Sequence, residues 1–225
     1  MIYTWNRLKD SIQAYRIWSE RQIEINLKFG NQDVSVISVY APEEGKEEES
    51  DESYEQLEKT IDKMNPERSI FVIGDLSART GSNENDKVVG KHGEITVNKN
   101  GKRLIDISSY NNFTIMNGFY KHKKCHKITW VARDQESIID YVVVNIHAKK
   151  TMLDVQVFRG YDIGLDHHLV EAAIRVNNIG KTTECRQTQL NINSLNDSVA
   201  NWLYKRRMEI IEKDLPIEED VEKAE

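Results

Sequence analysis

Ser69-Ile70-Phe71-Val72-Ile73-Gly74-Asp75 (SIFVIGD) decides the fold of this chain. Its apolar run has the length of one strand and no polar alternation, the mark of a strand covered on both faces. Such a strand requires layers on either side of its sheet. It ends in Gly74-Asp75, a place to look for function.

Upstream, Gln22 to Phe29 alternates strictly, with Ile23, Ile25, Leu27 and Phe29 on one side, and Val34 to Tyr40 follows the turn-like Gly30-Asn31-Gln32-Asp33. This pattern predicts a β-hairpin. The acidic run from Glu43 to Glu55 reads as a solvated loop leading into a helix. In that helix Tyr54, Leu57, Ile61 and Met64 recur at three- and four-residue steps, and it ends before Pro66.

Downstream, Asp75 to Gly101 is rich in Gly, Asn, Ser and Asp, the composition of a long loop. A helix is expected over 102–110, and short strands over 113–116, 128–131, 138–145, 154–158 and 168–176. Strands mixed with two helices, without a regular βαβ repeat, imply an α+β layered domain. After Asn177 the chain turns polar. An amphipathic helix over 197–213 carries Val199, Trp202, Leu203, Ile210 and Ile211 on its apolar side, and a disordered end is expected. The chain thus divides into a domain over 1–177 and a linker-like tail over 178–225.

The chain has 225 residues, of which 39% are hydrophobic and 30% charged, so it is polar; its apolar residues nevertheless fall in periodic runs, which indicates a folded core. A net charge of −6 argues against strong nonspecific binding to nucleic acid, which depends on basic side chains neutralising phosphates. Distribution qualifies the sum: Lys121, Lys123, Lys124, Lys127 and Arg133 crowd one segment with His122 and His126. No run approaches the ~20 apolar residues that span a bilayer, and no signal-peptide stretch is seen, so no membrane partner and an intracellular location, nuclear or cytoplasmic, are expected. Cys125 and Cys185 form no CxxC pattern and are expected to be free thiols. His122, Cys125 and His126 lack the fourth ligand of a tetrahedral zinc site.

The order and spacing of VISVYAP (36–42), VIGDLSA (72–78), ITW (128–130), IIDYVVV (138–144) and LDHHLV (165–170) resemble the endonuclease/exonuclease/phosphatase superfamily. Each motif is weak alone; five in order are specific. SERQIEI (19–25), GKHGEITVNKNGKRLID (90–106), FTIMN (113–117) and FRGYDIGLDHHLV (158–170) bring the chain closer to RTE-type LINE retrotransposon endonucleases and host proteins of the craniofacial development protein 2 group. The similarity runs from about Ile12 to Asn177, and RQTQLNINSLNDSVANWL (186–203) resembles the linker before the reverse transcriptase of such elements.

The resemblance implies a DNase I-like α/β/β/α four-layer sandwich and Mg²⁺-dependent hydrolysis of a DNA phosphodiester. It assigns Asp75 to orient and deprotonate the attacking water, and Asp140 to accept a hydrogen bond from His167, fixing its tautomer and raising its basicity so that it stays protonated and grips the phosphate. Asp166 would hold the metal and Tyr40 would donate its hydroxyl. The basic segment with Lys121, Lys123, Lys124, Lys127 and Arg133 lies where relatives place a loop on DNA.

Three departures predict impaired or absent catalysis. Ser77 replaces an asparagine that binds the phosphate or the water, and a hydroxyl cannot supply both a carbonyl and an NH₂. The asparagine and the metal-binding glutamate of the family's first strands have no counterpart here, since Asn6 and Glu20 stand in the wrong context, so an N-terminally truncated domain is expected. Leu165 replaces the serine before Asp166. Two other readings remain: an active nuclease whose missing strands come from another chain, and a noncatalytic interaction protein using the acidic segment or the C-terminal helix.

Overall fold

The computed structural model describes residues 6–133, 135–159 and 166–176. A 3₁₀ turn over Asn6–Ser11 leads into β1 (Ile12–Ser19), β2 (Gln22–Phe29) and β3 (Gln32–Tyr40). Helix α1 (Glu47–Asp62) precedes β4 (Ser69–Asp75), and α2 (Lys99–Tyr110) precedes β5 (Thr114–Ile115). The strands β6 (Trp130–Ala132), β7 (Gln135–Ser137) and β8 (Asp140–Val144), the short α3 (Ile146–Lys149), β9 (Met152–Phe158) and β10 (Leu169–Ile174) follow.

Six strands form one sheet in the order β1-β2-β3-β4-β8-β5, with β9-β10 and β6-β7 as separate antiparallel pairs. Within the large sheet only β3 and β4 run parallel. The expected two-faced burial of the central strand holds: Ile70, Phe71 and Val72 are 2%, 4% and 1% exposed. Side chains alternate across the pleat, so the two faces found two cores. Ile37, Val39, Ile70, Val72, Tyr141 and Val143 pack with Leu57 and Ile61 of α1 and Leu104 and Ile107 of α2. Ile25, Val34, Phe71, Val142 and Val144 pack with Met152 and Val155 of β9, and with the half-buried Val170 and Ala172 of β10. The result is a mixed α/β layered fold of the DNase I kind, with helices on one face of the large sheet and the β9-β10 pair on the other.

The hairpin expected from residue 22 to 40 is present, with Ile25 opposite Val36 and Leu27 opposite Val34. The acidic segment differs from expectation: α1 begins at Glu47 and takes in most of the run. Glu47, Glu48 and Glu49 in its first turn face the positive end of the helix dipole. Lys99 and Arg103 pair with Glu47, Arg103 with Asp51, and Arg21 with Glu49, which offsets acid repulsion. Helix α2 starts before residue 102 because the Asn98 side chain caps it, accepting from the Gly101 N–H at 2.7 Å.

Two strands were not anticipated. In β1, register shifts between Ile12 and Ala14 and between Ile17 and Ser19 break the period of two that identifies a strand. β7 is three residues of polar sequence that exist only by pairing with β6. The tail over 178–225, its helix over 197–213 and Leu165 lie outside the described residues.

Candidate active site

Strand register assembles the site. Tyr40 ends β3 and pairs with Asp75 at the end of β4, and Asp75 pairs with Asp140 at the start of β8. Directly paired residues project to the same face, so these three side chains form one row across three adjacent strands. The row continues the face that carries Phe71, Ile73 and Val142, the side covered by β9-β10.

Gly74 permits this row. Its φ is +128°, and a Cβ there would strike the carbonyl oxygen of Val39 on the neighbouring strand. Only glycine is at ease in that conformation, so the residue before the carboxylate is dictated by backbone approach.

His167 enters from a distant part of the chain. Its Nδ1 lies 3.0 Å and 3.2 Å from the two Asp140 oxygens, and its Nε2 lies 3.9 Å from Asp75 Oδ2. The hydrogen bond to Asp140 is the main cause that raises the imidazole pKa above 6.5; burial opposes it, and Asp140, Asp75 and Asp166 add electrostatic support. The shift favours the charged, doubly protonated ring. Asp75 is raised above the ordinary carboxylate value chiefly by burial. The Ser77 N–H, donating to Oδ1 at 2.8 Å, and His167 work against the shift, while Asp140 adds to it.

Three backbone contacts place the segment containing His167. The Val131 N–H donates to the Asp166 carbonyl at 2.9 Å, the His168 N–H to the Thr129 carbonyl at 2.7 Å, and Trp130 forms an isolated antiparallel bridge with His167. Thr129, fully buried, accepts the N–H groups of Ile139 and Asp140 on its hydroxyl at 3.0 Å and 3.2 Å. Asn117 donates to the Asp140 carbonyl and accepts from the Val142 N–H. The ITW segment therefore touches both halves of the Asp140–His167 pair. It was legible as a motif, but its role as their common support depends on contacts between segments far apart in sequence.

The remaining expected residues stand as follows. Asp166 is exposed and receives the Trp130 indole N–H at 2.8 Å, which is the main cause that lowers its pKa. Tyr40 is 58% exposed with Arg21 over its ring at 5.7 Å. Ser77 is buried with φ 45°, a left-handed conformation that asparagine tolerates better than serine. Its hydroxyl reaches Asp75 Oδ1 and the Ala41 carbonyl only at 3.4 Å.

In the basic segment, Lys124 pairs with Glu136, Lys127 donates to the His92 carbonyl at 2.8 Å, and Arg133 occupies a left-handed turn position. Lys121 and Lys127 both act electrostatically on His92. Lys123 stands at the N-cap position of the 3₁₀ turn over Lys124–His126, without a side-chain capping bond. His122 turns to Asp154 at 2.7 Å and His126 to the Val157 carbonyl at 3.1 Å, away from a common metal.

Carboxylate oxygens are the hard ligands that Mg²⁺ takes. Asp75 is engaged by Ser77 and Asp140 by His167, and no group of three His, Cys, Asp or Glu among the described residues is arranged to hold an ion. Asp166 is exposed and likewise engaged, by the Trp130 indole N–H. Mg²⁺ commonly rests on one or two carboxylates and completes its shell with water and substrate phosphate; the described residues supply carboxylates of the right kind but no cluster of them.

Residues 34–171 match the family described as endonuclease-reverse transcriptase. The match spans more than half of the chain, which therefore belongs to this family, within the endonuclease/exonuclease/phosphatase superfamily. Among curated proteins it is similar to craniofacial development protein 2 of Bos taurus, 26% identical over 93% of this chain and 36% of that protein. The same protein of Tragulus javanicus is 29% identical over 76% of this chain and 30% of that protein. The chain spans about a third of the length of these relatives.

The fold is similar to the endonuclease domain of TRAS1, a telomere-specific non-LTR retrotransposon, with TM-score 0.52 and 16% identity, covering 70% of this chain and 65% of that one. It is also similar to the catalytic domain of Xenopus laevis APE2, with TM-score 0.53 and 16% identity over 68% and 55%, and to the Neisseria 3′ phosphatase NExo bound to product DNA hairpin, with TM-score 0.51 and 17% identity over 69% and 65%. Among the described residues no helix is long and apolar enough to cross a membrane.

Proposed function

We propose that this chain carries the water-activating and phosphate-gripping half of an Mg²⁺-dependent DNA endonuclease centre of non-LTR retrotransposon origin, with impaired or no catalysis. The observation that carries the reading is the Asp75–His167–Asp140 alignment, which brings a base and a charged donor to within 3.9 Å of each other.

Burial lifts Asp75 toward the range in which a carboxylate accepts a proton effectively. Asp140 keeps His167 protonated, so its exposed Nε2 side donates to a phosphate oxygen instead of competing for the water's proton. Tyr40 offers a second donor beside it. Asp166 would hold Mg²⁺, which when bound neutralises the charge that grows on the phosphate. Ser77 supplies too short a side chain for the contact an asparagine makes, and losing one preorganised donor costs about 10²–10³ in rate. Lys121, Lys123, Lys124, Lys127 and Arg133 supply the basic side chains for the DNA backbone, with Lys124 and Lys127 already partly engaged.

The test is nicking of supercoiled plasmid and of abasic-site duplex with Mg²⁺ or Mn²⁺. No nicking above an Asp166→Ala control is expected. Robust nicking that disappears in that control overturns the impairment, and failure to bind either DNA at low salt overturns the assignment of the basic segment to the DNA backbone.

A second reading, a noncatalytic interaction protein, rests on a cleft of about 470 Å³ between α1 and α2, lined by Asp51, Glu55, Glu58, Asp106 and Tyr110 together with Arg103, which pairs with Asp51 and leaves the cleft net acidic. Its occupant would be a basic segment of a partner protein. Pull-down with a Glu55→Lys/Glu58→Lys control separates the two readings.

A further inference from the structure

β5 is two residues long, yet β8, the strand it pairs with, runs on past it. Thr114 and Ile115 face Val144 and Val143, and the chain then leaves the sheet in a 3₁₀ turn over Met116–Gly118. That turn is docked on a neighbouring loop: the Ile115 N–H donates to the Val88 carbonyl and the His92 N–H to the Gly118 carbonyl, both at 2.8 Å. Gly118 has no space for a Cβ, which would strike the Val89 carbonyl oxygen. The Met116 carbonyl is taken inside the turn by the Phe119 N–H at 3.0 Å. Along β8 successive backbone groups point to opposite neighbours, so the Asp140 carbonyl and the Val142 N–H face the side that β5 has vacated. Leaving such groups unpaired beside a core is costly.

Asn117 meets both. Its Nδ2 donates to the Asp140 carbonyl at 3.0 Å and its Oδ1 accepts the Val142 N–H at 2.9 Å. A side-chain amide carries a donor and an acceptor in one plane, as a backbone peptide does, so one residue takes the place of two ladder bonds. It does so at the first residue of β8, whose carboxylate meets His167 Nδ1 at 3.0 Å and 3.2 Å. The Asp140 N–H is held separately, by the Thr129 hydroxyl at 3.2 Å.

We propose that Asn117 is a positioning residue: its side-chain amide replaces the missing length of β5 and fixes the main chain of Asp140 so that the carboxylate stays on His167. This rests on the reading of Asp140 and His167 as the pair that grips the phosphate. Element ends open most readily, and a loose carbonyl at Asp140 would let its backbone, and with it the direction of its side chain, vary.

The test reads the His167 Nδ1–H resonance in ¹⁵N-labelled protein at one fixed pH. A ring proton donated to a carboxylate resonates at low field and is protected from exchange. Asn117→Leu keeps the size of the side chain and removes both bonds. The His167 resonance should then move upfield or vanish, and the Val142 amide should exchange with solvent about 5-fold faster, the scale of one lost hydrogen bond. Asn117→Asp keeps the acceptor for Val142 and loses the donor to Asp140. It should move the His167 resonance while the Val142 amide stays protected. Ile115→Ala separates positioning from stability: it removes a side chain of β5 that is 1% exposed, should unfold at lower urea, and should leave the His167 resonance in place. An unmoved His167 resonance in either Asn117 variant, or its loss in Ile115→Ala, overturns the proposal. The wild type gives a check that needs no variant: one Asn117 Nδ2 proton should exchange slowly, and two fast-exchanging protons also overturn it. DNA cleavage enters none of these readouts, so a protein that never nicks DNA but shows an Asn117-dependent Asp140–His167 bond removes the catalytic reading and leaves this one standing.

Discussion

The two faces of the six-stranded sheet are built from the same strands and differ in how well they are closed. On the helix face, Ile37, Leu57, Leu76, Leu104 and Ile115 are each no more than 1% exposed. On the opposite face, Ile17 is 63% exposed and Ile23, Val36 and Ile73 are only partly buried, although Val34 and Val144 are no more than 1% exposed. The Tyr40–Asp75–Asp140 row lies at the end of this more open face. A site for phosphate and water needs access, and the proposed one sits where packing is less complete, while the more fully enclosed face lies on the other side of the sheet.

The sharpest way to break the contrast is to truncate one residue on each face. Leu57→Ala removes a fully enclosed side chain of α1 and should cost about 2–5 kcal/mol, whereas Ile17→Ala should cost within about 0.5 kcal/mol. Urea unfolding of the two variants checks this, and equal losses would show that the open face is closed in solution.

Gly74→Ala tests whether the site's geometry is set by the sheet itself. The added methyl meets the Val39 carbonyl at a φ of +128°, so a loss of about 1–3 kcal/mol is expected, with displacement of Asp75 from its register with Tyr40 and Asp140. Thermal unfolding and amide shifts of Tyr40, Asp75 and Asp140 would report both effects.

The open face should also be the pH-sensitive one. The folded-state pKa of His167 is raised, so its contribution to stability is fully present below about 6.5 and is lost as pH rises through the higher folded value. Raised Asp75 acts in the same sense, favouring the protonated form and losing stability as pH rises through its folded value. Denaturation midpoints should therefore fall on moving from weakly acidic to alkaline pH, and His167→Asn should remove the part of that slope above pH 6.5.

The smallest expected effect is at Ser77. Asparagine suits φ 45° better than serine, so Ser77→Asn should raise stability by up to about 1 kcal/mol. It should not bring back nicking by itself, because it supplies a phosphate contact and no metal carboxylate. Calorimetry and the plasmid assay read the two halves of this expectation; nicking by the single variant would show that metal affinity is not limiting.

Strands with a clean period of two or an unbroken apolar run were legible from residues alone: β2, β3 and β4 lie where the alternation of Ile23, Ile25, Leu27 and Phe29 and the run before Gly74 put them. β1 was hidden by its bulges, and the start of α1 by acidic residues whose repulsion is offset only when Lys99, Arg103 and Arg21 come alongside. The motif residues Tyr40, Asp75, Asp140, Asp166 and His167 could be named in advance because residue type and order along the chain are properties of sequence.

What the sequence by itself determined was therefore local: which segments bury apolar surface at which period, and which polar residues stand at their ends. Only the tertiary structure decided that Tyr40, Asp75 and Asp140 share one row, that His167 closes on Asp140 across 27 positions, and that Trp130 holds Asp166. Those relations depend on strand order and register, which arise when separate segments compete to bury their surfaces together, and no single segment encodes its partner.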